Sequence, residues 1–167
     1  ICHGIGGTLL QHNKELQIHC DVKENDRVFY FTTCGWMMWN WLIGALSVGA
    51  TILLFDGFPM YKKKDLLLKF ASDEKVTLFG VSAKYIDALS NSGIKPKSKY
   101  SFSKMRTICS TGSPLSKDGY KYIYNNIKSN IHIASISGGT DIISCFVLGN
   151  LFEKVNLGEI QNRGLGM

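Results

Sequence analysis

Short apolar, β-branched runs alternate along the chain with stretches whose apolar residues recur at helical spacing. Arg27 to Thr32 (RVFYFT), Thr51 to Phe55 (TILLF), Thr77 to Val81, Met105 to Cys109 and Ile131 to Ile136 read as strands. Between them the pattern predicts helices. One runs from about Trp36 to Val48, and one from Lys62 to Glu74 with Leu66, Leu67, Phe70 and Ala71 on one face. Ala83 to Leu89 forms another, ended by the Asn91-Ser92-Gly93 signal, and a Ser116-capped helix carries Tyr120, Ile123, Tyr124 and Ile127. Ile143 to Leu148 and Gly158 to Gln161 read as two further strands, while His19 and Cys20 read as extended neighbours facing opposite ways. Repeated strand-helix-strand order predicts an α/β fold: a largely parallel sheet with flanking helices, joined by right-handed crossovers, without an internal domain boundary.

In such a sheet ligands gather beyond the carboxyl ends of the strands. Three predicted strand ends carry conspicuous residues: TTCGW (Thr32 to Trp36), STGSP (Ser110 to Pro114) and SGGTD (Ser137 to Asp141). VSAK (Val81 to Lys84) is a quieter fourth, and all four are expected to line one cleft. In SGGTD the glycines allow backbone N–H groups to approach a ligand, Thr140 offers a hydroxyl to a phosphate, and Asp141 offers the hard oxygen that Mg²⁺ prefers. A tight glycine turn explains the same five residues equally well. STGSP can rest a base or phosphate on its backbone, and a serine-capped helix start is its simpler explanation. Three tryptophans and two methionines fall within GWMMWNW, too closely spaced to face one side of a helix; some belong to the core and one can face a ligand.

Composition changes this picture little. The chain has 167 residues, 45% hydrophobic and 19% charged, ordinary for a soluble globular domain. No run reaches the roughly 18 apolar residues of a membrane span. A net charge of +6 comes from dispersed lysines, apart from Lys62-Lys63-Lys64 and the stretch Lys95 to Lys104. No aromatic residues alternate with them as a nucleic-acid stacking surface requires. Five cysteines, an odd number without CxxC spacing, point to a reducing, cytoplasmic compartment and to neither a disulfide framework nor structural zinc. No Ser/His/Asp arrangement or catalytic carboxylate pair is visible.

The blocks FTTCGWMMWNWLIGALSVGATILLFDGFP, LFGVSAKYI, RTICSTGSPLS, SISGGTDI and GEIQNRGLGM, in this order, resemble the adenylate-forming superfamily of acyl-CoA synthetases. GWMMWNW with SGGTDI is similar to its acetoacetate-activating members in particular. The resemblance implies ATP-dependent formation of an acyl-adenylate, then transfer of the acyl group to coenzyme A. It implies that Thr140 and Asp141 are catalytic, Thr140 binding phosphate and Asp141 holding Mg²⁺ where many relatives carry Glu. Gly112, Ser113 and Pro114, with Ser137, Gly139 and Thr140, would contact the nucleotide. Trp36, Met37, Met38, Thr111 and Gly138 would form the acid pocket. Acetate-activating relatives carry a tryptophan at the position of Gly138, so glycine here is expected to leave room for acetoacetate, and Gly138→Trp to shift preference toward acetate. The same resemblance implies that the chain is the middle of a large N-terminal adenylation domain, inactive alone, with a phosphate loop upstream and a lysine-bearing domain downstream. Acetate, propionate or butyrate as the acid, and a truncated non-catalytic nucleotide-binding module, are the competing readings.

Overall fold

The computed structural model describes residues 1–167. Five strands form a wholly parallel sheet: β1 (Arg27–Tyr30), β2 (Thr51–Leu53), β3 (Leu78–Ser82), β4 (Thr107–Thr111) and β5 (His132–Ser135), in the order β2-β1-β3-β4-β5. Side chains alternate between its faces, as the pleat requires. Phe29, Phe79, Ile108 and Ile133 enter one core with Leu67, Ile86 and Ile123. Val28, Tyr30, Leu78, Cys109 and Ala134 enter the other with Leu16, Met38 and Trp41. Both faces are thus covered by helices, which is why the strand middles are apolar on both sides, with the polar Thr107, Ser110, Thr111 and Ser135 buried towards the ends of β4 and β5.

On the first face lie α3 (Leu66–Asp73), α4 (Ala83–Asn91) and α5 (Lys117–Tyr122), which continues in one wide turn to Ile127. Helix α3 starts later than its apolar pattern predicts. Lys62 has φ +59, a left-handed conformation incompatible with helix, and the chain turns before Leu66. Ser82 and Ser116 cap α4 and α5, accepting from the N–H groups of Tyr85 and Gly119 at 3.2 and 3.0 Å.

On the second face lie α2 (Met37–Gly44), extended by a tight turn to Val48, and α1 (Ile5–Lys14), which runs into a wide turn over Glu15–His19. Helix α1 has no counterpart in the sequence reading. Its buried positions are His12, Glu15, Leu16 and His19, so the face turned inward is mostly polar and the usual apolar stripe is missing. His19 and Cys20 are accordingly not strand neighbours on opposite faces; both are buried at the end of this helical segment. His19 donates from Nδ1 to the Gly149 carbonyl at 2.8 Å and accepts the Leu165 N–H on Nε2 at 3.1 Å, an arrangement for the neutral ring.

A smaller antiparallel sheet follows: β6 (Ser137–Gly139), β7 (Ser144–Leu148) and β8 (Asn162–Arg163). The predicted last strand is therefore displaced from 158–161 to Asn162–Arg163. No helix is long and apolar enough to cross a membrane.

Candidate active site

Where β1, β4 and β5 end, their following loops enclose a cavity of about 450 Å³. Trp36, Met37 and Met38 wall it from the start of α2; Thr111, Gly112, Ser113 and Pro114 come from the end of β4. Ser137, Gly138, Gly139 and Thr140 come from β6 and its turn. Residues more than a hundred positions apart thus meet at one rim, as expected for loops at the carboxyl ends of a parallel sheet. The quieter fourth loop does not join them: Ser82 is occupied as a helix cap and Lys84 is exposed. Asp141 follows Thr140 in the chain but is not among the lining residues, and it is exposed to solvent.

Each wall is fixed by identifiable bonds. The Thr111 hydroxyl donates to the Ile136 carbonyl at 2.8 Å, joining the ends of β4 and β5. Gly112 has φ +88, which frees the chain to turn sharply out of β4; the spot where its Cβ would sit is 3.9 Å from the Trp36 ring across the opening. The α5 cap is Ser116, not STGSP itself, so Gly112 to Pro114 form a free-standing loop instead of a first helical turn. Trp36 leans edge-on against Tyr30 with ring centroids 6.1 Å apart, while Trp41 packs fully buried against the same tyrosine. Trp39 is half-buried, so the three tryptophans divide between cavity and core. The Thr140 carbonyl accepts from Nε2 of His3 at 2.9 Å and from the Ile143 N–H at 3.2 Å, leaving its hydroxyl without a protein partner.

Gly138 requires a correction. A Cβ there would sit 2.1 Å from the Ser144 carbonyl oxygen and 2.7 Å from Cys145 Cα. The glycine therefore permits close approach of β6 to β7, with a register shift between Ser137 and Gly138. A tryptophan at this position must first push the two strands apart; it cannot simply fill the cavity. Next to it, a Cβ on Gly139 meets nothing within 4 Å.

Ser135, Ile136, Cys145 and Ile160 also line the cavity and were not legible beforehand. The first two read as ordinary strand residues, Cys145 as a buried thiol and Ile160 as part of a short strand. Burial pushes the Cys145 thiol well up from its ordinary range, so it is a neutral wall at physiological pH, not a nucleophile.

For a metal, no three His, Cys, Asp or Glu side chains stand together. The site can hold Mg²⁺ only in the manner that cation favours, through one or two carboxylates completed by phosphate oxygens and water. A single exposed Asp141 beside the free Thr140 hydroxyl suits that arrangement.

The parallel sheet covered on both faces, with a glycine-rich rim over its carboxyl ends, places the chain among open α/β folds whose ligands bind at that rim. Residues 7–155 match the AMP-binding enzyme family, and the chain belongs to it. It is 53% identical over 167 residues to acetoacetyl-coenzyme A synthetase of Rhizobium meliloti (strain 1021), covering 100% of this chain and 26% of that protein. It is 47% identical to acetoacetyl-CoA synthetase of Danio rerio over 165 residues, 99% of this chain and 24% of that one. The solved structure of acetoacetyl-CoA synthetase from Streptomyces lividans superposes with a TM-score of 0.92 at 40% identity, over 96% of this chain and 25% of that chain. The chain thus spans about a quarter of the length of these relatives.

Proposed function

We propose that this chain is the central part of the N-terminal adenylation domain of a cytoplasmic acetoacetate–CoA ligase. In the first step a carboxylate oxygen of acetoacetate attacks the α-phosphorus of ATP. The bond to the β-phosphate oxygen breaks, pyrophosphate leaves, and acetoacetyl-adenylate forms. In the second step the sulfur of coenzyme A attacks the acyl carbonyl, and AMP leaves with the electron pair of the acyl C–O bond.

The residues divide by chemistry. Gly112, Ser113 and Pro114 form the backbone shelf for adenine and ribose, and Ser137, Gly139 and Thr140 face the phosphates. The free Thr140 hydroxyl donates to a phosphate oxygen. Asp141 would hold Mg²⁺, whose contribution when bound is to neutralise charge on the transferring phosphate. Trp36, Met37, Met38, Thr111 and the Gly138 backbone bound the acid.

The observation that carries this reading is the meeting of the α2 start, the post-β4 loop and the β6 turn around one cavity, in a chain 53% identical to a synthetase of that name. Its test is pyrophosphate release by the full-length enzyme with acetoacetate, acetate, propionate and butyrate. Acetoacetate is expected to give the highest kcat/KM. Absence of acetoacetate-dependent pyrophosphate release refutes the proposal, and preference for another acid replaces the substrate while leaving the reaction type.

A further inference from the structure

Glu15 is fully buried, yet no lysine or arginine pairs with it. A carboxylate in such a place is costly unless hydrogen bonds replace its water. Four donors do so here. Oε1 accepts from Nε2 of Gln11 at 3.0 Å, the Ser144 hydroxyl and the Cys145 backbone N–H at 3.0 Å. Oε2 accepts from the Trp41 indole N–H at 2.9 Å.

Ser144 and Cys145 lie on β7 and Trp41 on α2, two elements that contribute lining residues to the cavity, while Gln11 lies on α1, which runs into Glu15 itself. Cys145 lines the cavity directly, and the Ser144 carbonyl is the atom against which Gly138, another lining residue, is pressed. Trp41 lies one turn along α2 from Met37 and Met38, which line the opposite side. Glu15 itself touches none of the cavity.

We propose that Glu15 is a positioning residue for acid recognition: from behind, its carboxylate clamps β7 to α2 and fixes the width of the acid end of the cavity. The inference rests on the functional reading above. It predicts that loosening the clamp changes which acid fits; the Gly112 to Pro114 loop is not attached to it, and ATP binding is reached only through β6, which pairs with β7 at Gly139 and Ser144.

The experiment compares the full-length enzyme with its Glu15→Ala, Glu15→Gln and Ser144→Ala variants, measuring pyrophosphate release with acetoacetate, acetate and butyrate. In Glu15→Ala the KM for acetoacetate is expected to rise about tenfold, as misplacement of a substrate-holding wall does, and by more than the KM for ATP. The ratio of kcat/KM between acetoacetate and butyrate is expected to change by about fivefold or more. Glu15→Gln keeps a carbonyl oxygen for Ser144 and Cys145 but turns an NH₂ toward the Trp41 N–H, so its effect should be intermediate. Ser144→Ala should shift the acid ratio in the same direction by a smaller factor. Equal loss of kcat/KM for every acid in Glu15→Ala, with the ratios unchanged, overturns the proposal in favour of a purely structural role. If Glu15→Ala does not fold, unchanged acid ratios in both Glu15→Gln and Ser144→Ala overturn it. No pyrophosphate from the unaltered enzyme with any acid removes the functional reading and this proposal with it, a result distinct from an active enzyme whose selectivity ignores Glu15.

Discussion

The Thr111 hydroxyl donates to the carbonyl of Ile136, 25 residues further along, at 2.8 Å. This bond joins the tips of two neighbouring strands where the cavity begins, and both residues line it. Thr111→Val keeps the shape but leaves a buried carbonyl without that donor. The expected loss is about 1–3 kcal/mol, read as a lower urea midpoint with unchanged slope. A midpoint unaltered by the change would mean that the bond does not hold the two strand ends together.

Asp141 is exposed, while Thr140, its neighbour in the chain, lines the cavity. If Asp141 carries the cation on ATP, Asp141→Ala should raise the Mg²⁺ concentration needed for half-maximal activity by about tenfold or more, while Asp141→Glu restores most of it. Titration of pyrophosphate release with Mg²⁺ distinguishes the two variants. An unchanged Mg²⁺ requirement in Asp141→Ala removes this residue from the metal site.

Arg106 grips Asp26 with both terminal nitrogens, at 2.9 and 2.6 Å, below the amino ends of β1 and β4. Burial alone would raise the Asp26 carboxyl. The Arg106 guanidinium, with the Lys23 N–H and Thr77, outweighs it and holds the carboxyl below its usual value. The folded state therefore favours the carboxylate, and its contribution is fully present above the unfolded value of about 3.9 and lost as pH falls through the lower folded value. Asp26→Asn should cost about 1–3 kcal/mol near neutrality, discounted from a fully buried pair because Arg106 is 41% exposed. The gap between the two proteins, followed by urea unfolding, should close in acid. A gap independent of pH would contradict the charge-based account.

His132 donates from Nε2 to Gln161 at 2.8 Å, while its Nδ1 is buried without a partner. Burial lowers its pKa, and the same cause lowers that of His12. Both rings are therefore held neutral in the fold, and the unfolded chain binds more protons below the ordinary histidine value of about 6.5. Stability should fall as pH drops through that value. His132→Asn should reduce the slope of Tm against pH between about 7 and 5 without abolishing it, because His12 remains. A slope identical to that of the unaltered protein would show that His132 titrates alike in both states.

How much of this was legible depended on which force dominated locally. The five central strands were readable within one or two residues, because a parallel strand buried on both faces carries consecutive apolar residues through its middle. RVFYFT, read as Arg27 to Thr32, ends at Tyr30, and the strand read as Met105 to Cys109 lies two residues later, at Thr107–Thr111. Three of the four rim loops stood out as well, although a tight glycine turn explained SGGTD equally well and VSAK does not join the cavity.

What sequence alone determined, then, is the order of strands and helices and the loops that chemistry can use. Tertiary structure decided the rest. Helix α1 was hidden because its inward face is His12, Glu15 and His19, whose burial is tolerated only through bonds to Ile143, Ser144, Cys145 and Gly149, more than 120 residues away. The role of Gly138 was equally out of reach, because what forbids a side chain there is the Ser144 carbonyl on the next strand. Apolar burial repeats with the period of the backbone and so leaves a local trace; a satisfied buried polar group depends on a distant partner, and that partner exists only once the chain has folded.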